Sequence, residues 1–346
     1  MKIAIIGAGI MGCATARALA KRGARVVLLE RAIPGAEASS AAAGILGAQI
    51  EMHEKGKVLD AFVRARREYA AFAAELRDET GIDVGYRVSG ALVTARTDDE
   101  HAALRRAVAW QRDASLRAEL LDGASARKLE PSLANDVVGA AHYPDESQVD
   151  PPSLLRALVA SLRDVEVRSG ASVQRLLIEN DRCVGVALDD GVVRADATVL
   201  AAGSWASLVP GLPSSIPAVR PARGQIVQLD ERPPRLKLMV VGGHTYAVPR
   251  GDGRVLCGST VEMVGFKKEV TAGGVHAILS GVLATLPSLS SAALTATWSS
   301  FRPHTDGEPL VGASPLAGLF LATGHFRNGI LLANEAARAV ADAITR

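Results

Sequence analysis

The chain of 346 residues is 48% hydrophobic and 22% charged, which is enough apolar material for two domains with buried cores. This composition excludes an intrinsically disordered chain. Lys plus Arg number 39 and Asp plus Glu number 37, so the formal net charge is only +2. Such a balance provides no general attraction to nucleic acid or to an anionic membrane, and neither is expected as a partner.

The cysteines Cys13, Cys183 and Cys257 are scattered and show no spacing typical of a disulfide framework or a zinc site. No metal is therefore expected, and Cys13 is interpreted as a small packing residue. The apolar run over residues 3–20 contains glycines and Arg17, so it fits a strand, a loop and a helix better than a secretory signal. These features predict a cytoplasmic protein.

The N-terminal region predicts a βαβ unit. An apolar run over residues 3–6 is typical of a strand buried on both faces. A helix follows over residues 10–22 and ends at Gly23, and a second buried strand over residues 25–29 ends at Glu30. Two parallel strands joined in this way imply a right-handed crossover.

Downstream, periodicity predicts helices over residues 59–77 and 101–112 with extended chain over 81–94 between them. Asp150 precedes two prolines and is expected to cap a helix. Residues 165–200 predict a small meander that ends in a buried strand, and residues 224–260 a second β-rich region. The sequence then predicts a strand over 318–322 and a helix over 330–344, the same order of strand and helix as at the N-terminus. The predicted plan is a Rossmann-like α/β nucleotide-binding domain, built from separated segments, with a β-rich domain inserted.

The motif Gly7-x-Gly9-x-x-Gly12 lies between the first strand and the first helix, the context in which it binds a dinucleotide. Gly7 permits the tight turn, Gly9 lets the backbone approach a pyrophosphate, and Gly12 allows close packing of helix and strand. Glu30 follows 18 residues later and can accept hydrogen bonds from ribose hydroxyls, while its charge disfavours NADP. The motif alone does not separate FAD from NAD.

Several further segments carry a family resemblance. They are residues 3–31, Ser39-Ser40-Ala41-Ala42-Ala43-Gly44, Ala201-Ala202-Gly203-Ser204-Trp205, Arg302-Pro303-His304-Thr305-Asp306-Gly307, and residues 324–333, which read GHFRNGILLA. In these segments the chain resembles the D-amino-acid-oxidase superfamily of flavoproteins, and within it most of all the glycine oxidases. The resemblance covers nearly the whole chain, and residues 324–333 are its most specific part.

The resemblance implies non-covalent FAD and a set of residues around it. Residues 39–44 are small enough to lie against a flavin, and the backbone N–H groups before the last helix can stabilise negative charge near flavin N1 and O2. The expected FAD-binding residues are Gly7, Gly9, Ile10, Met11, Gly12, Glu30, Arg31, Ser39, Ser40, Ala43, Gly44, Val173, Ala202, Gly203, Trp205, Gly324, His325, Phe326, Arg327, Asn328, Gly329, Ile330 and Leu331.

The resemblance also implies a substrate site. Arg302 is expected to hold the carboxylate of an amino acid, since its planar fork can bond both oxygens, with Tyr246 adding a phenol hydrogen bond and Arg327 close by. His244 is two residues before Tyr246 on an expected strand and would point to the same side. Ile45 and Met263 are candidate walls of the pocket.

The implied reaction oxidises a small primary or secondary amino acid, glycine being the type substrate, by hydride transfer from Cα to flavin N5 and reoxidation of the flavin by oxygen to give hydrogen peroxide. A role in making the thiazole ring of thiamine is a further implication. A D-amino-acid or proline-type dehydrogenase with another electron acceptor stays open, as does a non-catalytic flavin-binding protein. A homo-oligomer, a tetramer in many relatives, is expected.

The resemblance further implies a D-amino-acid-oxidase type of two-domain fold. The expected FAD-binding domain comprises residues 1–79, 143–220 and 300–346, and the expected substrate-binding domain comprises residues 80–142 and 221–299.

Overall fold

A computed structural model describes residues 1–52 and 56–346. In the first half of the chain the elements are β1 (Lys2–Ile6), α1 (Ile10–Ala20), β2 (Arg25–Glu30), α2 (Ala38–Ala41), β3 (Ile45–Leu46), α3 (Lys57–Thr80), β4 (Arg87–Val88), β5 (Ala91–Ala95), α4 (Asp98–Asp113), β6 (Glu119–Asp122), α5 (Gly123–Leu129), β7 (Gly139–Tyr143), β8 (Ser147–Gln148), α6 (Pro151–Ala160) and β9 (Val165–Ser169).

The second half contains β10 (Val173–Glu179), β11 (Arg182–Leu188), β12 (Gly191–Arg194), β13 (Ala197–Leu200), β14 (Arg220–Asp230), β15 (Met239–Gly242), β16 (Thr245–Pro249), β17 (Arg254–Gly258), α7 (Ala272–Thr285), β18 (Ala293–His304), β19 (Leu310–Ala313), β20 (Leu319–Thr323) and α8 (Gly329–Thr345). Two short 3₁₀ helices, Gly203–Leu208 and Pro287–Ser291, precede β14 and β18.

A six-stranded sheet of order β19-β20-β13-β1-β2-β9 joins the two ends of the chain. Five of its strands, β20, β13, β1, β2 and β9, run parallel, and only the edge strand β19 is antiparallel to its neighbour. The predicted βαβ unit and the Rossmann-like character are thereby confirmed. Helices α1 and α8 pack beside each other in the large apolar core on one face, as their continuous apolar stripes require.

The predicted meander is a separate three-stranded sheet, β10-β11-β12. Its first turn lies at Asn180 and Asp181, which both have positive φ angles, 48° and 58°. Asn and Asp tolerate this conformation, and it suits the twist of a hairpin. The meander packs on the other face of the six-stranded sheet.

The β-rich region forms an eight-stranded sheet of order β18-β14-β17-β16-β15-β5-β7-β6. Helix α7 packs against it through Ile278 and Val282. The sequence analysis did not find this helix, because three glycines interrupt it and apolar residues surround it, so it lacks a clear stripe. Strands β3, β8 and β4 form a further small sheet, in which β8 pairs with both β3 and β4.

We propose that the chain comprises an FAD-binding and a substrate-binding domain with the bounds expected from the sequence. Strands β14 and β18 run through the bounds at 220/221 and 299/300, so both strands connect the two units directly. The residues that line the cleft described below come from both sides of these bounds.

Among the helices of the described part of the chain, none combines the length and the apolar character that a membrane span requires.

Candidate active site

The loop between β1 and α1 is tightly packed. A Cβ atom on Gly12 would lie 1.8 Å from the carbonyl oxygen of Gly7, and Gly7 itself has a φ of +98°. Glu30, at the end of β2, accepts hydrogen bonds from the backbone N–H of Ala8 at 2.9 Å and of Ala32 at 3.0 Å. The loop therefore needs glycine at positions 7 and 12, and Glu30 is held beside it.

Helix α1 begins at Ile10, whose backbone N–H donates to Oγ of Ser39 at 2.9 Å. No side chain caps this helix at Gly9. The N-terminus of α1 therefore presents backbone donors and positive potential to the space in front of it.

That space is a cleft of about 1160 Å³, including its open mouth, between the loop and the eight-stranded sheet. Many of the predicted site residues line it together: Gly9, Ile10, Met11, Ser39, Ala43, Gly44, Ile45, Gly203, Tyr246, Arg302, His325, Phe326, Arg327, Asn328, Gly329 and Ile330. The fold thus brings residues that are more than 300 positions apart in the chain to one site.

Other predicted residues lie around the cleft without lining it. Gly7, Gly12 and Glu30 form the loop beneath it, and Ala202 and Gly324 are next to lining residues. The hydroxyl of Ser40 donates to the carbonyl of Gly35, and Leu331 is buried in the core. The guanidinium of Arg31 lies over the ring of Trp205, 4.0 Å from its centroid, and that ring stacks on Phe266.

Three predicted residues do not reach the cleft. Val173 is at the start of β10, in the meander. His244 is exposed and lies in the turn before β16, not on the expected strand, so the argument that it points with Tyr246 is wrong. The side chain of Met263 is 56% exposed.

The segment before α8 closes the opposite end of the cleft. Phe326 has a φ of +47°, and its N–H donates to the carbonyl of Pro303 at 2.9 Å. His325 is buried, and both ring nitrogens have no partner among the described residues. Burial lowers the pKa of His325 to about 4, so its ring is neutral at physiological pH. Helix α8 then begins without a side-chain cap, with Gly329 and Ile330 facing the cleft.

These features fit FAD. The glycine cradle and the open end of α1 suit a pyrophosphate, and the open end of α8 suits the flavin edge that becomes negative on reduction. The unpartnered ring nitrogens of His325 need a polar group in the cleft, since a buried polar atom without a partner is costly. Bound FAD would supply the acceptor for a hydride.

Arg302 extends from β18 over Gly224, where any Cβ atom would lie 2.1 Å from its Nη1. Its guanidinium donates to the carbonyl of Thr260 at 3.1 Å and to Oγ of Ser259 at 2.6 Å. Among the described residues no carboxylate lies within ion-pair distance, and burial lowers the pKa of Arg302, an effect opposed by Tyr246 beside it. An anionic ligand in the cleft would therefore be the charge partner that Arg302 lacks.

Arg327 does have a charge partner, which the sequence analysis missed. Its Nε lies 3.3 Å from Oε2 of Glu51, and both residues line the cleft. No local pattern marks Glu51, because it lies in a loop whose course depends on packing elsewhere. Gly224 was also missed, although a glycine inside a strand is a known sign of close approach by another group.

Within residues 1–52 and 56–346, no group of three or more His, Cys, Asp or Glu side chains is arranged to hold a metal ion. Cys13, Cys183 and Cys257 are buried and free. Burial, and then the charge of Glu30, raise the pKa of the Cys13 thiol to about 12, which fits the packing role that the sequence predicted.

The family model described as FAD dependent oxidoreductase (DAO) matches residues 2–343. The chain therefore belongs to this family of FAD-dependent oxidoreductases, as the sequence motifs predicted. FAD is its cofactor.

The curated proteins that are similar over 99% of this chain include the following two. The bifunctional protein ThiO/ThiG of Nostoc sp. is 36% identical over 349 residues, and the glycine oxidase of Geobacillus kaustophilus is 35% identical over 350 residues. The chain spans 52% of the former, about half its length, and 93% of the latter. The crystal structure of glycine oxidase from Geobacillus kaustophilus has a TM-score of 0.94, with 34% identity over 99% of this chain and 94% of that one.

Proposed function

We propose that the chain is a glycine oxidase. It would convert glycine, oxygen and water to glyoxylate, ammonia and hydrogen peroxide, and would accept sarcosine and small D-amino acids in the same way. The observation that carries the proposal is Arg302, a half-buried cation without a carboxylate partner among the described residues, in a cleft that fits FAD. The similarity to glycine oxidases over nearly the full chain supports it.

Arg302 would bind both oxygens of the substrate carboxylate, with Tyr246 as a further hydrogen-bond donor. Two such anchors fix the carboxylate end, so the Cα–H bond would be held at one orientation toward the cofactor. Ala43 and Tyr246 belong to one apolar cluster, with Ile45 packed against it. This apolar wall favours an uncharged substrate side chain.

The amine would react in its neutral form, because only that form has the lone pair that assists departure of hydride from Cα. The family resemblance requires no side-chain base for this step. Glu51, the carboxylate that lines the described part of the cleft, is engaged by Arg327, and His325 is buried.

We extend the proposal to the supply of a precursor for the thiazole ring of thiamine. The match to one half of a bifunctional ThiO/ThiG protein supports it. We also propose a homo-oligomer, a tetramer as the family resemblance implies, which light scattering of the purified protein would test.

The decisive experiment is anaerobic titration of the purified yellow protein with glycine, sarcosine and D-alanine while the flavin absorption is followed. Glycine should bleach the band, whereas acetate, which has a carboxylate but no amine, should shift the spectrum without bleaching it. If all three amino acids leave the flavin oxidised, the proposal fails. Oxygen consumption without added dye then separates an oxidase from a dehydrogenase.

A further inference from the structure

Arg250 is a buried cation outside the substrate site. It follows β16, the strand that carries Tyr246, and only 7% of its surface is exposed. Among the described residues no carboxylate lies within ion-pair distance of its guanidinium, and burial lowers its pKa to about 10. Burial of a charge in this way is costly unless hydrogen bonds to the protein replace the lost hydration.

The guanidinium donates to three oxygen atoms that lie outside the eight-stranded sheet. Nη1 donates to Oε1 of Gln148 and to the carbonyl of Val149, both at 2.7 Å, and Nη2 donates to the carbonyl of Ala43 at 2.6 Å. Ala43 is part of the loop that lines the cleft. Arg250 therefore ties the strand of Tyr246 to the loop that faces the cofactor.

The neighbouring atoms of Val149 fix the end of that loop in a conformation that glycine adopts readily. Gly44 has a φ of +76°, and a Cβ atom on it would lie 2.1 Å from the carbonyl oxygen of Val149. The N–H of Val149 donates to the carbonyl of Gly44 at 2.9 Å. Thus Val149 bonds to Gly44 through its N–H and accepts from Arg250 through its carbonyl, so Arg250 contacts Ala43 directly and Gly44 through Val149.

A second side chain of the eight-stranded sheet holds the loop two residues earlier. Nε1 of Trp298, on β18, donates to the carbonyl of Ala41 at 2.9 Å. Trp298 and Arg250 thus donate hydrogen bonds to the carbonyls of residues 41 and 43 from the side of the eight-stranded sheet. β18 also carries Arg302, so the sheet that holds both proposed substrate anchors also fixes the loop.

We propose that Arg250 is a positioning residue for FAD, which sets the distance between the loop at residues 39–44 and the sheet that carries Tyr246 and Arg302. Trp298 is its partner in this role. The proposal concerns the family's cofactor, so the affinity measurement below is independent of which amino acid is oxidised. Only the reduction measurement rests on the proposed function.

The test uses the holoenzyme of Arg250→Gln, Arg250→Lys and Trp298→Phe, with Arg254→Gln as matched control. Arg254 is four residues along the same hairpin and pairs with Asp252 and Asp150, but makes no hydrogen bond to the loop. FAD release on dilution, followed by flavin fluorescence, gives the Kd. We expect it to rise roughly 10- to 100-fold in Arg250→Gln, since hydrogen bonds to a charged donor are lost. We expect a smaller rise in Arg250→Lys and Trp298→Phe, and no change in Arg254→Gln.

At saturating FAD, the rate of flavin bleaching by saturating glycine should fall in Arg250→Gln. The glycine concentration that gives the half-maximal rate should stay near that of the parent, because Arg302 is intact. An unchanged Kd and flavin spectrum in Arg250→Gln would overturn the proposal, as would an equal effect of Arg254→Gln. If Arg250→Gln does not fold, wild-type FAD affinity in both Arg250→Lys and Trp298→Phe overturns it. Wild-type FAD binding combined with no bleaching by any amino acid would instead refute the proposed function together with this role.

Discussion

Nε of Arg327 lies 3.3 Å from Oε2 of Glu51 at the mouth of the cleft, whereas Arg302 deeper in the same cleft has no carboxylate partner among the described residues. The two arginines therefore differ in their charge environment, although the sequence analysis places both at the substrate site, with Arg302 as the anchor. The charge of Arg327 is balanced by Glu51, whereas that of Arg302 has no partner among the described residues. A single carboxylate bound in the cleft would go to Arg302.

We expect Glu51→Gln to change the choice of substrate. Without the carboxylate, Arg327 becomes a second unpaired cation, so an amino acid with an additional carboxylate, such as D-aspartate, should gain about three- to tenfold in kcat/KM relative to glycine. Arg327 is 39% exposed, which limits the gain through solvent screening. Steady-state kinetics with both substrates would measure it. The double variant Glu51→Gln, Arg327→Gln should lose the gain, and its persistence there would contradict the assignment.

Arg302→Ala should remove the anchor of the substrate carboxylate. Since a partly buried, charge-assisted pair is lost, kcat/KM for glycine should fall by roughly 100- to 1000-fold, while FAD remains bound. Arg302→Lys should recover little of the activity, because an ammonium group cannot reproduce the planar fork. Kinetics and the flavin spectrum would be measured together. Normal glycine kinetics in Arg302→Ala would show that the carboxylate binds elsewhere.

Gly12→Ala should abolish FAD binding, because its new methyl group would lie 1.8 Å from the carbonyl oxygen of Gly7. Relief of this overlap would displace α1 from β1 at a cost of about 1–3 kcal/mol in stability. Gly273→Ala, where no atom lies within 4 Å, is the control. It should keep its flavin and gain up to about 1 kcal/mol from helix propensity. A yellow Gly12→Ala protein would refute this account of the loop.

Burial of neutral His325 should make the FAD-free protein less stable in acid. Its pKa is lowered from 6.5 to about 4, so between these values the unfolded state binds a proton that the folded state does not. This contribution to the free energy of unfolding is fully present above pH 6.5. It is lost as the pH falls from 6.5 to about 4, and the loss reaches about 3 kcal/mol by pH 4. Urea unfolding of the parent and of His325→Gln at about pH 7 and pH 5 would isolate it. An equal pH dependence in the two proteins would show that His325 is not buried neutral.

Short-range signals were sufficient for much of this protein. The spacing of Gly7, Gly9 and Gly12 after an apolar run predicts a βαβ unit, and the overlap that excludes a side chain at Gly12 comes from Gly7, only five residues earlier. Asp150 caps α6 as predicted, since its carboxylate accepts from the N–H of Ser153, three residues later. The cleft likewise gathers the motif residues of the two chain ends, as the resemblance implied.

Long-range packing accounts for the rest. His244 and Tyr246 are two positions apart, yet the start of β16 places only Tyr246 in the cleft. The partners of Arg250 are about 100 and 200 residues away, and no period or motif connects them. Local chemistry in the chain therefore predicts where a dinucleotide binds. Which arginine is free for a substrate, and which one holds the cofactor loop, depends on how the two sheets pack, because a charge acts according to the atoms that surround it in space.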